Sequence, residues 1–211
     1  MVVYAALKPY LFHPSMVSKW VGLAAAATVV ALWPAQLWWA WVLGGIAIVF
    51  PTEYVVHRFV LHVWAAKGWN GPGAYHTAHH QDPDNLAHVF HPTWYALAIG
   101  VPYALLAGLV GWSWQAGVAF LLGTLVGTIY YEWYHYQAHQ PLVKPRTRWG
   151  RFLKQFHTRH HYKSEHHWFG VTSPFFDRLF GTGPDHRDVE RSPTVRHLRP
   201  PEHAAAAMDE A

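Results

Sequence analysis

Residues 37–64 read LWWAWVLGGIAIVFPTEYVVHRFVLHVW, a long apolar run that ends in two histidines. Its first half contains no charged residue and is apolar on every side of a helical projection, which is typical of a helix surrounded by lipid. Its second half adds Glu53, His57, Arg58 and His62 within ten residues. The stretch therefore predicts a membrane helix with chemically active side chains at one end.

Three further apolar runs occupy roughly residues 16–33, 92–111 and 114–131. Each is close to the ~20 residues that cross ~30 Å of hydrocarbon. The breaks at 33–35 and 111–113 are too short for domain linkers and favour helical hairpins. Only 13% of the residues are charged, about half the usual share. We therefore expect an all-α integral membrane protein with four transmembrane helices. A soluble helical bundle is the alternative, but four such runs would leave it little polar surface.

Basic residues are distributed unevenly around these runs. None lies in the two hairpin turns, whereas the other flanks carry Lys8, Lys19, Arg58, Lys67, Lys144, Arg146, Arg148, Arg151 and Lys154. By the positive-inside rule, we expect a multi-pass protein with both termini and the middle loop in the cytoplasm. These charges are placed to meet anionic lipid head groups, and no nucleic-acid-binding motif is present.

Histidine is unusually frequent, with 18 copies, while cysteine is absent. Ten histidines form four groups: His57 and His62; His76, His79 and His80; His135 and His139; His157, His160 and His161. Helix positions i, i+3 and i+4 share a face, so each HxxHH group can direct three imidazoles at one point. Two residues five apart differ by about 140° on an α-helix, so the first pair could flank a two-metal site.

The charge pattern places all four groups on the cytoplasmic side, which predicts one composite site. Ten imidazoles suit two five- or six-coordinate ions, and all-nitrogen ligation favours Zn, Cu, Fe or Ni. Carboxylates should hydrogen-bond to such ligands on the side away from the metal. The candidates are Glu53, Asp84, Glu132 and Asp177. Four more histidines near the groups have open roles: His88, His91, His166 and His167. We expect ordinary structural roles for His13, His186, His197 and His203.

The four groups together resemble the histidine boxes of the fatty acid hydroxylase superfamily, which also holds sterol desaturases, and most of all its fatty acid 2-hydroxylases. The resemblance covers roughly residues 45–183. The segments that carry it are EYVVHRFVLH (53–62), YHTAHHQDPDN (75–85), YEWYHYQAHQP (131–141) and FHTRHHYKSEHHWFGVTSPFFDRLFGT (156–182).

This resemblance implies a cytoplasmic helical cap on the four membrane helices, with two iron ions held by the ten grouped histidines. Zinc can occupy such a site. It also implies O2 as co-substrate, hydroxylation of a lipid acyl chain and no catalytic side chain beyond the di-metal centre. We expect one membrane-embedded domain over residues 1–183. Residues 184–211 are rich in Pro, Arg and Ala without periodicity, which predicts a mobile tail.

Only about fifteen residues precede the first apolar run, so we expect a separate electron donor, either cytochrome b5-like or a ferredoxin with its reductase. The short chain resembles bacterial members, which favours a bacterial inner membrane over the endoplasmic reticulum. Two alternatives stay open. One is a lipid or sterol desaturase or carotenoid ring hydroxylase of the same di-iron class. The other is a metal transporter, whose ligands should lie near mid-membrane, or a haem-binding membrane protein, which would need only paired histidines.

Overall fold

A computed structural model describes residues 2–67 and 71–196, and this part of the chain is helical without a β-strand. His197, His203 and the rest of the expected tail beyond residue 196 lie outside the described residues. The helices are α1 (Val2–Phe12), α2 (Pro14–Leu32), α3 (Trp38–Ala66), α4 (Pro72–Gln81), α5 (Leu86–Val89), α6 (Thr93–Val110), α7 (Trp114–His139), α8 (Arg148–Tyr162) and α9 (Phe175–Leu179), followed by a 3₁₀ turn, His186–Asp188.

Helix α3 continues the second apolar run without a break as far as Ala66, as the sequence predicts. Its hydrogen-bond pattern changes along the way, because Val56–Val63 form a π-helix between two α-helical segments. A π-helix closes i→i+5 hydrogen bonds and is often found at functional sites. The widened turn contains both His57 and His62.

Among the residues that the structure describes, three helical segments are long and apolar enough to cross a membrane: Pro14–Leu32, Trp38–Ala66 and Leu86–Val110. Only 11% of the second and 6% of the third are buried inside the protein, so their apolar side chains face outward, as lipid contact requires. Helix α7 does not reach the same mean hydropathy, since Thr, Gln and Tyr residues are interspersed among its apolar ones. The chain is thus a membrane protein with three clear candidate spans.

The chain divides into two compact units, residues 1–52 with 90–136 and residues 53–89 with 137–211. In the first unit, α3 and α7 approach closely at two glycines. A Cβ on Gly45 would lie 2.1 Å from the Phe120 carbonyl oxygen, and one on Gly123 would lie 2.0 Å from that of Val42. Small residues that allow such backbone approach are a common packing device in membrane helices.

The same unit contains a buried ion pair. Lys19 of α2 lies 3.0 Å from Oε1 of Glu132 on α7, with 2% and 0% of the side chains exposed. The ammonium also donates to Ser15 Oγ at 2.6 Å and to the His91 carbonyl at 3.1 Å. Lys19 is therefore not one of the surface charges that the sequence suggested. His13, expected to be structural, caps α2 by accepting from the Ser15 amide.

The second unit brings α4, α8 and the ends of α3 and α7 together with the C-terminal segments. The loop that follows α8 is fixed by Asp177, whose carboxylate accepts hydrogen bonds from the amides of Phe169 and Gly170, each at 2.8 Å. Thr182 adds a third at 2.8 Å. Glu53 holds the next residues by accepting from the Val171 and Thr172 amides. This loop is therefore held by two carboxylates, the buried Asp177 and the half-buried Glu53.

Candidate metal centre

Nine of the ten grouped histidines are buried in the second unit, where they form two clusters. Within each cluster the ring nitrogens that could bind an ion lie within 4.8 Å of one another. Cluster A contains His57, His62, His76, His80 and His160. The members of cluster B that lie in this unit are His79, His139, His157 and His161. The tenth histidine, His135, belongs to the first unit and lies one helical turn before His139 on α7.

The two HxxHH motifs do not each converge on one point, contrary to the simplest interpretation of their spacing. On α4, His76 and His80 join cluster A while His79 joins cluster B. On α8 the division is reversed, with His160 in cluster A and His157 and His161 in cluster B. Consecutive residues of a helix differ by about 100°, so adjacent imidazoles of one motif turn toward neighbouring clusters.

The pair His57 and His62 also differs from the α-helical expectation, because both join cluster A. The Nε2 atoms of these two residues lie 3.2 and 2.9 Å from Nε2 of His76. The π-helix provides the reason: its i→i+5 hydrogen bonds put residues five apart one above the other. The two side chains therefore share a face that an α-helix would have separated.

The Nε2 atoms point inward and approach one another as ligands of a common ion would. His160 Nε2 lies 3.1 Å from His62 Nε2 in cluster A, and His157 Nε2 lies 2.9 Å from His139 Nε2 in cluster B. Neighbouring nitrogens bound about 2.1 Å from one ion are about 3 Å apart. The clusters adjoin where the rings of His80 and His161 stack at 4.1 Å. The donor set therefore fits two adjacent metal ions.

Hydrogen bonds to main-chain carbonyls orient three imidazoles of cluster A. The Nδ1–H groups of His57, His80 and His160 donate to the carbonyl oxygens of Phe169, Val195 and His167, respectively. Such bonds leave Nε2 as the free ligand atom and fix the plane of the ring. In cluster B, both ring nitrogens of the buried His161 lack a hydrogen-bond partner in the described part of the chain. A bound cation would satisfy a nitrogen that is otherwise costly to bury.

Phe169 forms one wall of cluster A and has no counterpart among the residues that the sequence singled out. Its ring lies 5.7, 5.5 and 5.5 Å from those of His57, His62 and His160, and 3% of the residue is exposed. The sequence signal for it was its place within the segment 156–182 that carries the family resemblance, eight residues after His161. An aromatic wall at this position excludes water from the inward-facing nitrogens.

The predicted supporting carboxylates have different surroundings. Glu53 and Asp177 hold the loop whose Phe169 carbonyl orients His57. Glu132 pairs with Lys19 and accepts from the His91 amide at 3.3 Å, and the His91 ring stacks on that of His135 at 6.0 Å. Asp84 is exposed at the surface.

The remaining described histidines lie outside both clusters. His88 contacts the ring of Tyr75 at 5.4 Å, and His166 is 71% exposed beside Glu165. The His167 ring meets the Ser164 hydroxyl at 3.0 Å, while its carbonyl serves His160. His186 lies beside Asp185 at the surface. None of these four imidazoles belongs to either cluster.

Comparison with known proteins agrees with this geometry. A sequence profile for fatty acid hydroxylases matches residues 41–182, which contain all four histidine boxes. The chain belongs to the fatty acid hydroxylase family. The resemblance read from the histidine boxes is thereby confirmed.

Relatives within this family include lipid hydroxylases of plants and yeast. A dihydroceramide fatty acyl 2-hydroxylase of Arabidopsis thaliana is 36% identical over 135 residues, covering 63% of this chain and 55% of that protein. A ceramide very long chain fatty acid hydroxylase of Saccharomyces cerevisiae is 35% identical over 142 residues, covering 63% and 35%. The chain thus spans about half, or less, of the length of these relatives.

The fold is shared with a solved hydroxylase domain. The structure of full-length scs7p, in which only the hydroxylase domain is visible, superimposes with a TM-score of 0.69 at 25% identity. The match covers 84% of this chain and 68% of that one. This fatty acid hydroxylase family member therefore has the family's fold over most of its length.

Removing the Asp177 carboxylate should weaken metal binding without touching a ligand. In Asp177→Ala, the Phe169 and Gly170 amides lose their acceptor, so the carbonyl that orients His57 is no longer fixed. Loss of such indirect support typically costs about 10–100-fold in metal affinity. Titration of metal-stripped protein with Zn²⁺ measures the change. Asp188→Ala, at an exposed position in the 3₁₀ turn that follows α9, should bind like the wild type. Equal affinity in both variants would contradict this role of Asp177.

Acid should destabilise the metal-free protein. Burial, reinforced by neighbouring histidines, lowers the pKa of His76 and His161 well below the usual value. Below the ordinary histidine pKa of about 6.5, the unfolded chain therefore binds more protons than the folded protein does. The free energy of unfolding is highest above that pH and decreases as the pH falls. We expect the melting temperature of chelator-treated protein to drop between about pH 7.5 and 5.5. A melting temperature that stays constant or rises over this interval would contradict the neutral, buried state of these imidazoles.

Proposed function

We propose that the chain is a membrane-bound di-iron hydroxylase that inserts one oxygen atom of O2 into a C–H bond of a lipid acyl chain, in the manner of a fatty acid 2-hydroxylase. The observation that carries the proposal is the pair of buried all-histidine clusters within a fatty acid hydroxylase family match. Two relatives are by name hydroxylases of ceramide or dihydroceramide acyl chains, which supports a sphingolipid-type acyl substrate.

All ten grouped histidines are proposed as ligands, five to each ion. His135 completes cluster B, because it lies one turn before His139 on α7 and residues at i and i+4 share a helical face. Neutral imidazoles are ligands for both Fe and Zn, and zinc would be a redox-inactive occupant of the same site. When bound, a pair of iron ions would activate O2 and relay the donor's electrons to it, which is chemistry that the protein's own side chains lack.

The chain's own residues orient the metal ligands, exclude water from the site and keep it rigid. The buried carbonyls of Phe169, Val195 and His167 hold three imidazoles in one tautomer. The Phe169 ring shields cluster A from water, which protects a reactive oxidant from unproductive quenching. No side chain is required as nucleophile or general base, since the overall reaction consumes O2, two electrons and two protons and yields an alcohol and water.

We further propose four membrane spans, with α7 as the fourth, and a cap on the cytoplasmic side that contains the metal centre. The basic residues outside the hairpin turns support this orientation. The exposed apolar surfaces of α3 and of Leu86–Val110 are suited to lateral entry of an acyl chain from the bilayer. The electrons are proposed to come from a separate cytochrome b5-like or ferredoxin-type donor.

Lipid analysis of an expression host tests this proposal. Cells that express the wild type under isotopically labelled O2 should accumulate acyl chains that carry one labelled hydroxyl at C2. Cells that express His160→Ala should not. Loss of two hydrogens without label would instead identify a desaturase. Unchanged acyl chains, with labelled oxygen in a sterol or carotenoid ring, would identify a different substrate class.

A further inference from the structure

A short segment near the end of the described chain contacts cluster A although it lies beyond the family match, which ends at residue 182. Residues 192–196 read SPTVR. Val195 is 2% exposed, and its carbonyl oxygen accepts a hydrogen bond from Nδ1 of His80 at 2.9 Å. A stretch that the sequence assigned to a mobile tail thus touches a candidate metal ligand.

The segment is tied down on one side by a buried carboxylate just after α8. Oε1 of Glu165, a residue that is 3% exposed, accepts hydrogen bonds from the hydroxyls of Ser192, at 2.9 Å, and Thr194. The Ser192 amide also donates to the Lys163 carbonyl at 2.7 Å. These three hydrogen bonds hold this side of the segment in place.

The other side is tied by Arg196. Its guanidinium donates to the carbonyl of Gln81, the last residue of α4, at 3.0 Å, and lies 5.3 Å from the ring centre of Tyr162, the last residue of α8. The segment therefore links the C-terminal ends of the two helices that carry the HxxHH motifs. Val195 lies between the two attachments, so its carbonyl has a defined position and direction.

We propose that residues 192–196 form a strap that positions His80 as a metal ligand of cluster A. The strap acts through the Val195 carbonyl, which fixes the proton of His80 on Nδ1 and leaves Nε2 facing the other Nε2 atoms of the cluster. Ser192, Thr194 and Arg196 are positioning residues that hold this carbonyl in place. The inference rests on the proposed metal centre and adds to it a support outside the histidine boxes.

Zinc titration of the full-length, metal-stripped protein tests the strap. The wild type should take up two ions. The double variant Ser192→Ala/Thr194→Ala removes both hydroxyls from Glu165 and should weaken one of the two sites by about 10-fold or more, the effect expected when a ligand loses its orienting partner. Thr194→Ser retains a hydroxyl at that position and should bind as the wild type does.

Two more variants separate positioning from a general effect on folding. Arg196→Ala releases the opposite attachment from a partly exposed position, so it should fold and show the same selective weakening. Within the described part of the chain, the exposed Arg187 side chain pairs only with Asp185. Arg187→Ala should therefore leave both metal sites intact. The melting temperature of each metal-free variant monitors the fold independently.

The outcomes distinguish the two proposals. Wild-type affinity at both sites in Ser192→Ala/Thr194→Ala and in Arg196→Ala would overturn the strap and leave the metal centre standing. Equal weakening of both sites, together with a lower melting temperature of the metal-free protein, would also overturn it, because the segment would then serve only overall stability. A wild type that binds fewer than two ions would overturn the metal centre and the strap with it.

Discussion

His160→Ala is expected to lose one of the two proposed metal ions and at least about 100-fold of the proposed hydroxylase activity. His160 Nε2 lies 3.1 Å from His62 Nε2 at the centre of cluster A, and the residue is fully buried. Loss of a residue that merely orients a ligand costs about 10–100-fold, so loss of the ligand itself should cost no less. Elemental analysis of the purified protein and turnover of an acyl substrate measure the two effects.

His166→Ala is the matched control for this experiment. His166 is six residues further along the same histidine-rich segment but is 71% exposed and lies in neither cluster. It should retain both ions and wild-type turnover. Full metal content and activity in His160→Ala would refute the assignment of cluster A, whereas equal losses in both variants would show that the segment tolerates no change.

Lys19→Met is expected to lower the free energy of unfolding by about 3–5 kcal/mol, the usual cost of removing one partner of a buried ion pair. The Glu132 carboxylate would remain wholly buried, with the His91 amide at 3.3 Å and the His91 ring Nδ1 at 3.6 Å as its remaining partners. Methionine keeps the length and apolar packing of the lysine stem, so the change isolates the charge. Unfolding in detergent, followed by circular dichroism, measures the loss.

Two companions define the origin of that loss. Lys8→Met removes an exposed lysine of α1 and should change stability by less than about 0.5 kcal/mol. Lys19→Met/Glu132→Gln removes both charges and should recover part of the loss, because the uncompensated carboxylate is gone. A single variant that is as stable as the wild type would show that this pair does not support the first unit.

The sequence predicted the helical class, the membrane character and the presence of histidine clusters that could bind metal, because each depends on a local pattern. Apolar runs such as 37–50 define helices by composition alone, and i, i+3, i+4 spacing defines which imidazoles can share a face. The family itself followed from four such local groups. The exact number of spans did not, since α7 mixes apolar with polar aromatic residues and falls between the membrane and interior classes.

What the sequence could not reveal depends on distant contacts or on departures from α-helical geometry. The shared face of His57 and His62 needs the π-helix at Val56–Val63, and a pattern analysis assumes a uniform helical turn. The division of each HxxHH motif between two clusters depends on the neighbours that α4 and α8 meet. The partners of Lys19 and His80 are 113 and 115 residues away in the chain, so no local signal points to them.

Main-chain carbonyls orient His57, His80 and His160, so these segments should tolerate substitutions better than insertions or deletions during evolution. A main-chain oxygen is supplied by every amino acid, so the positions of Phe169, Val195 and His167 could exchange side chains and still orient the same three rings. An insertion or deletion of one residue in those segments would displace the oxygen by several ångströms. Diversity among such enzymes should therefore accumulate as substitutions around a fixed loop length, and gaps should be rare between the end of α8 and Asp177.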